Sequence, residues 1–258
     1  TLGGRFLMLL ETEGLTKQFG ELTAVDEVNL QLQEGDSLSI IGPNGAGKST
    51  TVNLITGLLN PTEGTVQYRG EDITGQEPHE IVQQGLSKSF QTASIFPDLT
   101  VERNAIVASL GAEHGSFSLN FFKRLAGYDE VAERARRTLE DMGLYEQRDI
   151  KAKSLPYGDK RRLEMALALA SNPDLLFLDE PTAGMSPDET DDTVDLIERI
   201  KEERGVTIVL IEHDMEIIFR VSDRIAVLNR GAKIADGTPD EIRGDPDVQE
   251  AYLGGVEI

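Results

Sequence analysis

The run Gly42-Pro43-Asn44-Gly45-Ala46-Gly47-Lys48-Ser49-Thr50 constrains this chain more than any other feature. It has the form G-x-x-x-x-G-K-S and follows the apolar run Leu38-Ser39-Ile40-Ile41, so it reads as a strand turning through a glycine-rich loop into a helix. The glycines let successive backbone N–H groups turn inward onto an anion. Lys48 is long enough to reach the outer phosphates of a triphosphate, and Ser49 offers a hydroxyl to Mg²⁺. The helix beginning near Lys48 adds the positive end of its dipole. A bare turn requires neither the lysine nor the hydroxyl at these spacings. The segment reads as a nucleoside triphosphate site.

Composition narrows the classes around that site. At 258 residues the chain can bury a full core, as one large domain or one domain with an insertion. It has no cysteine, which excludes disulfides, thiolate metal sites and a cysteine nucleophile, and His79, His114 and His213 are too scattered for a zinc cluster. No apolar run is long enough to cross a bilayer, and the apolar patch before Glu11 reads as an opening strand with no cleavage signal. A soluble, intracellular protein is therefore expected. The net charge of −21 argues against a nucleic-acid-binding surface. Of the 25 basic residues 16 are arginine, and such an acid-rich, lysine-poor surface suits a high-salt cytoplasm as well as an acidic mesophilic protein.

Alternating apolar positions over residues 7–35, among them Val25, Val28, Leu30 and Leu32, predict strands of a half-buried antiparallel sheet. Residues 37–41 are the strand feeding the loop. The helix after it is expected to set Val52, Ile55 and Leu58 on one face and to end at Asn60-Pro61, before a strand at 65–68. Segments 101–110, 128–142 and 159–170 are rich in helix formers, while 111–127 is punctuated by glycine and phenylalanine and has no clear period. Leu175-Leu176-Phe177-Leu178 is a continuous apolar strand. Ser186-Pro187-Asp188-Glu189 forms a capping box that opens a helix running to Gly205, with strands at 206–211 and 224–228.

Asp179 and Glu180 end the apolar strand 175–178. A phosphate-loop enzyme needs a carboxylate at a strand end for the Mg²⁺ shell, which Asp179 fits, and Glu180 beside it can polarise an attacking water.

With these motifs in order, the chain resembles, over nearly its full length, the nucleotide-binding subunit of an ATP-binding cassette (ABC) transporter. The resemblance implies an α/β fold: a P-loop NTPase core with a mostly parallel sheet, an antiparallel β subdomain and an inserted α-helical subdomain. The core with its β subdomain falls at 1–90 and 171–245, the helical subdomain with the signature segment at 91–170, and a tail at 246–258. Carried residue by residue, the nucleotide (ATP) is held by Gly42, Pro43, Asn44, Gly45, Ala46, Gly47, Lys48, Ser49 and Thr50, with Val25 beside them and Phe19 stacking on adenine. Ser49, Gln91 and Asp179 hold Mg²⁺; Glu180, His213 and Gln91 serve hydrolysis.

The signature segment departs from the family's L-S-G-G-Q: here it is Leu155-Pro156-Tyr157-Gly158-Asp159. Pro156 has neither hydroxyl nor backbone donor, so the usual serine contact to the opposite subunit's ATP is lost, while the Gly158 N–H and the helix N-terminus remain. Weakened but real hydrolysis is expected. Tyr157, Asp159, Ser186 in place of the family's aspartate, the long helical insertion and the ending Gly237-Thr238-Pro239 through Gly254 resemble the branched-chain amino-acid importers, in the longer of their two ATPase subunits. Implied partners are a second cassette in a head-to-tail homo- or heterodimer, transmembrane permease subunits and, indirectly, an extracytoplasmic solute-binding protein, with no nucleic acid. The implied location is the cytoplasmic face of the membrane. Import of urea or short-chain amides, and a soluble non-transport cassette ATPase, are the competing readings. Lys48→Ala is expected to abolish nucleotide binding in equilibrium dialysis at millimolar magnesium; unchanged binding would remove the basis of the site.

Overall fold

The structure, a computed structural model, describes residues 8–89, 95–114 and 128–253. It divides into two compact units, Thr1–Ile81 with Gly205–Ile258, and Val82–Arg204. In chain order the elements are β1 (Met8–Phe19), β2 (Leu22–Gln33), β3 (Ser37–Ile41), α1 (Lys48–Ile55), β4 (Glu63–Tyr68), β5 (Glu71–Asp72), α2 (Pro78–Gln83) and β6 (Leu86–Lys88). They continue with α3 (Val101–His114), α4 (Tyr128–Asp141), α5 (Tyr157–Leu169), β7 (Leu175–Asp179), α6 (Pro187–Arg204) and β8 (Thr207–Ile211). The chain then forms α7 (Met215–Val221), β9 (Arg224–Asn229), β10 (Ala232–Gly237), α8 (Pro239–Arg243) and α9 (Pro246–Leu253).

The first unit holds two sheets. One is antiparallel, in the order β2-β1-β4-β5. Its register breaks at a bulge after Thr12, where the buried Thr12 hydroxyl donates to the Val28 carbonyl at 3.0 Å and accepts from the Leu30 N–H at 2.8 Å. The bulge thus keeps both backbone groups satisfied inside the core.

In the other sheet β3 runs parallel to both β8 and β9, and β10 pairs antiparallel with β9. All five residues of β3 and of β8 are buried, as strands covered on both faces require. Serines at 37 and 39 are tolerated there because each hydroxyl is bonded: Ser37 donates to the Val221 carbonyl at 2.6 Å, and Ser39 pairs with Ser222. A cluster of Ile41, Ile218, Ile225, Val227, Ile242 and Val248 seats the C-terminal helices α8 and α9 against β9.

Helix α1 is shorter than the apolar pattern implies. It stops at Ile55; Gly57 then takes φ +73°, and a Cβ there would lie 2.4 Å from the Gln76 carbonyl oxygen. Val52 and Ile55 are buried as expected, but Leu58 falls beyond the helix and is exposed. A left-handed glycine ends the helix before the proline does.

The second unit carries β6 parallel to β7 together with α3, α4, α5 and α6. Its helices match the three helix-rich segments of the sequence. Arg136 bridges α4 to Glu102 of α3 at 2.7 Å, and Arg204 at the end of α6 reaches the Asp141 carboxylate at the end of α4. The box at the head of α6 forms as the residue types predict. Glu189 accepts from the Ser186 N–H and hydroxyl, both at 2.9 Å, and Gly205 follows the helix at φ +64°. Those two donors, the backbone N–H first, hold the Glu189 carboxyl below its ordinary pKa.

Thr12→Val, nearly the same shape without the hydroxyl, strands two buried backbone groups. It is expected to lower the free energy of urea unfolding by about 2 kcal/mol. A loss within error would show that the bulge relaxes without cost.

Candidate phosphate-loop site

Buried β3 ends at Ile41 and the chain turns through the glycines into α1. Gly42, Gly45 and Gly47 have φ of +150°, +80° and +102°. Two of them have no room for a side chain: a Cβ on Gly42 would stand 2.1 Å from the Leu228 carbonyl oxygen, and one on Gly47 2.5 Å from that of Ala24. The loop is also tied from outside, because the Ala46 carbonyl accepts from the Gly231 N–H and the Gly231 carbonyl from the Asp26 N–H. Its curvature is therefore imposed by β2 and by the β9–β10 turn. The first-turn N–H groups of α1 and the ammonium of Lys48 converge on this loop, Lys48 donating to the Gly42 carbonyl at 2.6 Å. Concentrated positive potential on a rigid concave backbone is what a polyphosphate binds.

Three further candidates lie in the same unit. Phe19, at the end of β1, is 48 % exposed beside the Lys17 ammonium, as a stacking ring and not a core residue would be. Val25 is fully buried, with its side chain close behind Gly47, so it backs the loop and presents no surface. His213 follows β8, which is parallel to β3, so the histidine and the loop leave the same edge of the sheet. Its ring is 73 % exposed, with Nδ1 3.5 Å from the buried Glu212 carboxylate. Along the outer side of the loop runs a cavity of about 710 Å³ lined by Asn44, Gly45, Arg230, Ile234, Asp247 and Glu250.

In the second unit all five residues of β7 are buried, and Asp179 is its last. Glu180 follows at φ +48°, a left-handed backbone that a non-glycine residue adopts at a cost, and such strain gathers at functional positions. Lys88, the last residue of β6, places its ammonium 3.6 Å from the Asp179 carboxylate, with side chains only 8 % and 5 % exposed. Burial pushes the Lys88 ammonium below its ordinary pKa, and the neighbouring carboxylate opposes that shift.

The signature segment opens α5 with Pro156 as its N-cap, and Leu155 is buried before it. Tyr157 leans over the turn after Glu180: its hydroxyl donates to the Ala183 carbonyl at 3.0 Å, and its ring lies 3.3 Å from a Cβ built on Gly184. Gly158 is buried under Glu189, whose Oε1 would lie 2.8 Å from a Cβ there. Asp159 accepts from the Gln147 amide at 2.9 Å and does not stand free.

The ABC transporter family matches residues 25–183. The chain belongs to that family. The segment 232–258 matches a second family, the branched-chain amino acid ATP-binding cassette transporter. A curated relative, the high-affinity branched-chain amino acid transport ATP-binding protein BraF of Pseudomonas aeruginosa, is 44 % identical over 95 % of this chain and 98 % of its own length. The LivG protein of Escherichia coli K12, which bears the same description, is 42 % identical over 95 % and 98 %. Among solved structures, the ADP conformation of an ATP-binding cassette of an ABC transporter is 35 % identical. It superposes at a TM-score of 0.84 over 96 % of this chain and 99 % of that one.

Of the cassette's expected residues, Gln91 lies outside the described residues. Among the described residues no three His, Cys, Asp or Glu side chains gather into a metal cluster. The donors expected for Mg²⁺, the Ser49 hydroxyl and the Asp179 carboxylate, fit it chemically: both are hard oxygens, and this ion keeps waters and phosphate oxygens in the rest of its shell. The Lys88 ammonium stands 3.6 Å from the same carboxylate.

Two residues were not found by sequence reasoning. Lys88 resembles any strand-end lysine until the β6–β7 register places it. Asn104 is buried in the first turn of α3, and its amide accepts from the Phe96 N–H at 2.7 Å while donating to the Phe96 and Thr100 carbonyls, pinning residues 96–100.

Gly47→Ala introduces both a clash and an unfavourable φ. It is expected to abolish nucleotide retention in equilibrium dialysis and to lower the unfolding free energy by roughly 1–3 kcal/mol; wild-type retention would show that the loop geometry is not what holds the phosphates.

Proposed function

We propose that this cassette hydrolyses ATP to power import of branched-chain amino acids through a membrane complex. The observation that carries the reading is the pair of family matches, one over the nucleotide motifs and one over the C-terminal segment that the branched-chain cassettes share. Similarity to BraF along almost the whole of both chains supports it.

The chain's own residues divide the work. Lys48 and the loop N–H groups bind the β- and γ-phosphates, and Phe19 stacks on the adenine. Ser49, Asp179 and Gln91 would hold Mg²⁺, which when bound neutralises charge on the phosphate oxygens. Glu180 accepts a proton from water as the oxygen attacks the γ-phosphorus and the bond to the β-phosphate oxygen breaks, giving ADP and phosphate. His213 contacts the γ-phosphate and orients Glu180. The signature end of α5 closes over the ATP of a second cassette with the Gly158 N–H and the helix dipole, Pro156 supplying no hydroxyl. A head-to-tail pair then drives permease subunits that receive solute from an extracytoplasmic binding protein. No helix among the described residues is long and apolar enough to cross a membrane. On this reading the cassette is held at the cytoplasmic face by those permeases.

Glu180→Gln is expected to retain ATP while phosphate release falls roughly 100-fold or more; release at the parent rate would remove Glu180 from its role. For the solute, the complex reconstituted with its permeases and binding protein should show ATPase stimulation by leucine, isoleucine or valine. Stimulation by urea or acetamide instead would overturn the branched-chain assignment.

A further inference from the structure

Lys88 occupies an unusual place for a lysine. The residue type ordinarily lays its carbon stem on apolar surface and lifts the ammonium into water, whereas here the whole side chain is 8 % exposed. Desolvating an ammonium is costly, and an apolar residue would fill a strand end between buried neighbours at least as well. Packing alone therefore does not account for it.

Register explains how the ammonium arrives. In the parallel β6–β7 pair Lys88 lies opposite Phe177, and the Ser89 N–H extends the ladder to the Phe177 carbonyl at 2.8 Å. Phe177 and Asp179 are two apart on one strand and so share a face with Lys88. The four-carbon stem spans that one step forward to Asp179. At 3.6 Å the contact is longer than a good hydrogen bond, so the pairing is chiefly one of charge. An ammonium suits this better than a guanidinium fork, which would grip both oxygens.

We propose that Lys88 is a positioning residue for Asp179: its ammonium is a built-in counter-ion that holds the buried carboxylate ready and sets how strongly it draws the magnesium ion of the nucleotide. The proposal rests on the reading of Asp179 as a member of the metal shell. With the ammonium present, Asp179 is a moderated ligand and Mg²⁺ is taken mainly together with phosphate. Without it, the buried Asp179 carboxylate loses a positive neighbour, which is costly in metal-free protein and makes it more attractive to any divalent cation.

The test uses the full chain and needs no turnover. Thermal unfolding is followed in EDTA, and then with saturating ADP during a MgCl₂ titration, for the wild type, Lys88→Met, Lys88→Arg, Asp179→Asn and the Lys88→Met/Asp179→Asn double variant. In EDTA, Lys88→Met is expected to unfold about 5–10 °C lower, with Lys88→Arg recovering most of the loss. The double variant should be more stable than Lys88→Met alone, because the carboxylate charge is removed together with its counter-ion. With ADP, the Mg²⁺ midpoint of Lys88→Met should fall at least about threefold. An unchanged or higher melting temperature for Lys88→Met in EDTA, or an unmoved Mg²⁺ midpoint, overturns the proposal. If Asp179→Asn itself leaves the midpoint unmoved, the metal-shell reading fails, and the proposal fails with it even where the thermal coupling between Lys88 and Asp179 persists.

Discussion

The phosphate loop takes its curvature from backbone pressed against backbone, with the Lys48 ammonium tying the Gly42 and Pro43 carbonyls. Gly42 lies against the Leu228 carbonyl, Gly47 against that of Ala24, and Ala46 is hydrogen-bonded to Gly231. The segments that press on it come from β2, from β9 and from the turn into β10. The antiparallel sheet is therefore part of the anion site, since it supplies one of the surfaces that curl the loop. A cradle fixed in this way presents its N–H groups already oriented, and little ordering entropy remains to be lost when phosphate arrives.

A second constraint runs through the acids at the end of β7. Five consecutive buried residues drive Asp179 and Glu180 to the strand's end, but they take different environments there. Asp179 is buried with a cation against it, whereas Glu180 sits on left-handed backbone at the start of the next turn. Adjacent carboxylates thus become unlike groups, one buried beside an ammonium and one turned out of the ladder. The strain at Glu180 persists because the Ala183 N–H returns to the Glu180 carbonyl and the Met185 N–H to that of Thr182, fixing the turn around it.

Much of this was legible in residue order. The phosphate loop, the apolar strand 175–178 and the Ser186–Glu189 box are local features whose chemistry is complete within a few residues, and each forms as its residue types require. The assignment of Leu58 to the face of α1 fails because a left-handed glycine, whose value lies in a close approach to Gln76, cuts the helix short. Val25 carries no sign in the sequence that it backs the loop from a different strand. Lys88 is invisible because Asp179 lies 91 positions away and only the β6–β7 register brings the two together, whereas Asn104 bonds residues 4 to 8 positions earlier in an irregular turn that no motif marks. Local chemistry is written in order, and pair chemistry in topology.

Tyr157 joins the first turn of α5 to the turn that follows Glu180, through its hydroxyl on Ala183 and its ring over Gly184. Any rotation of that helix about its own start must drag the 183–184 backbone with it or sever the bond. Within the second unit, the first turn of α5 and the backbone that follows the acidic pair are thus geared together like two teeth on one wheel.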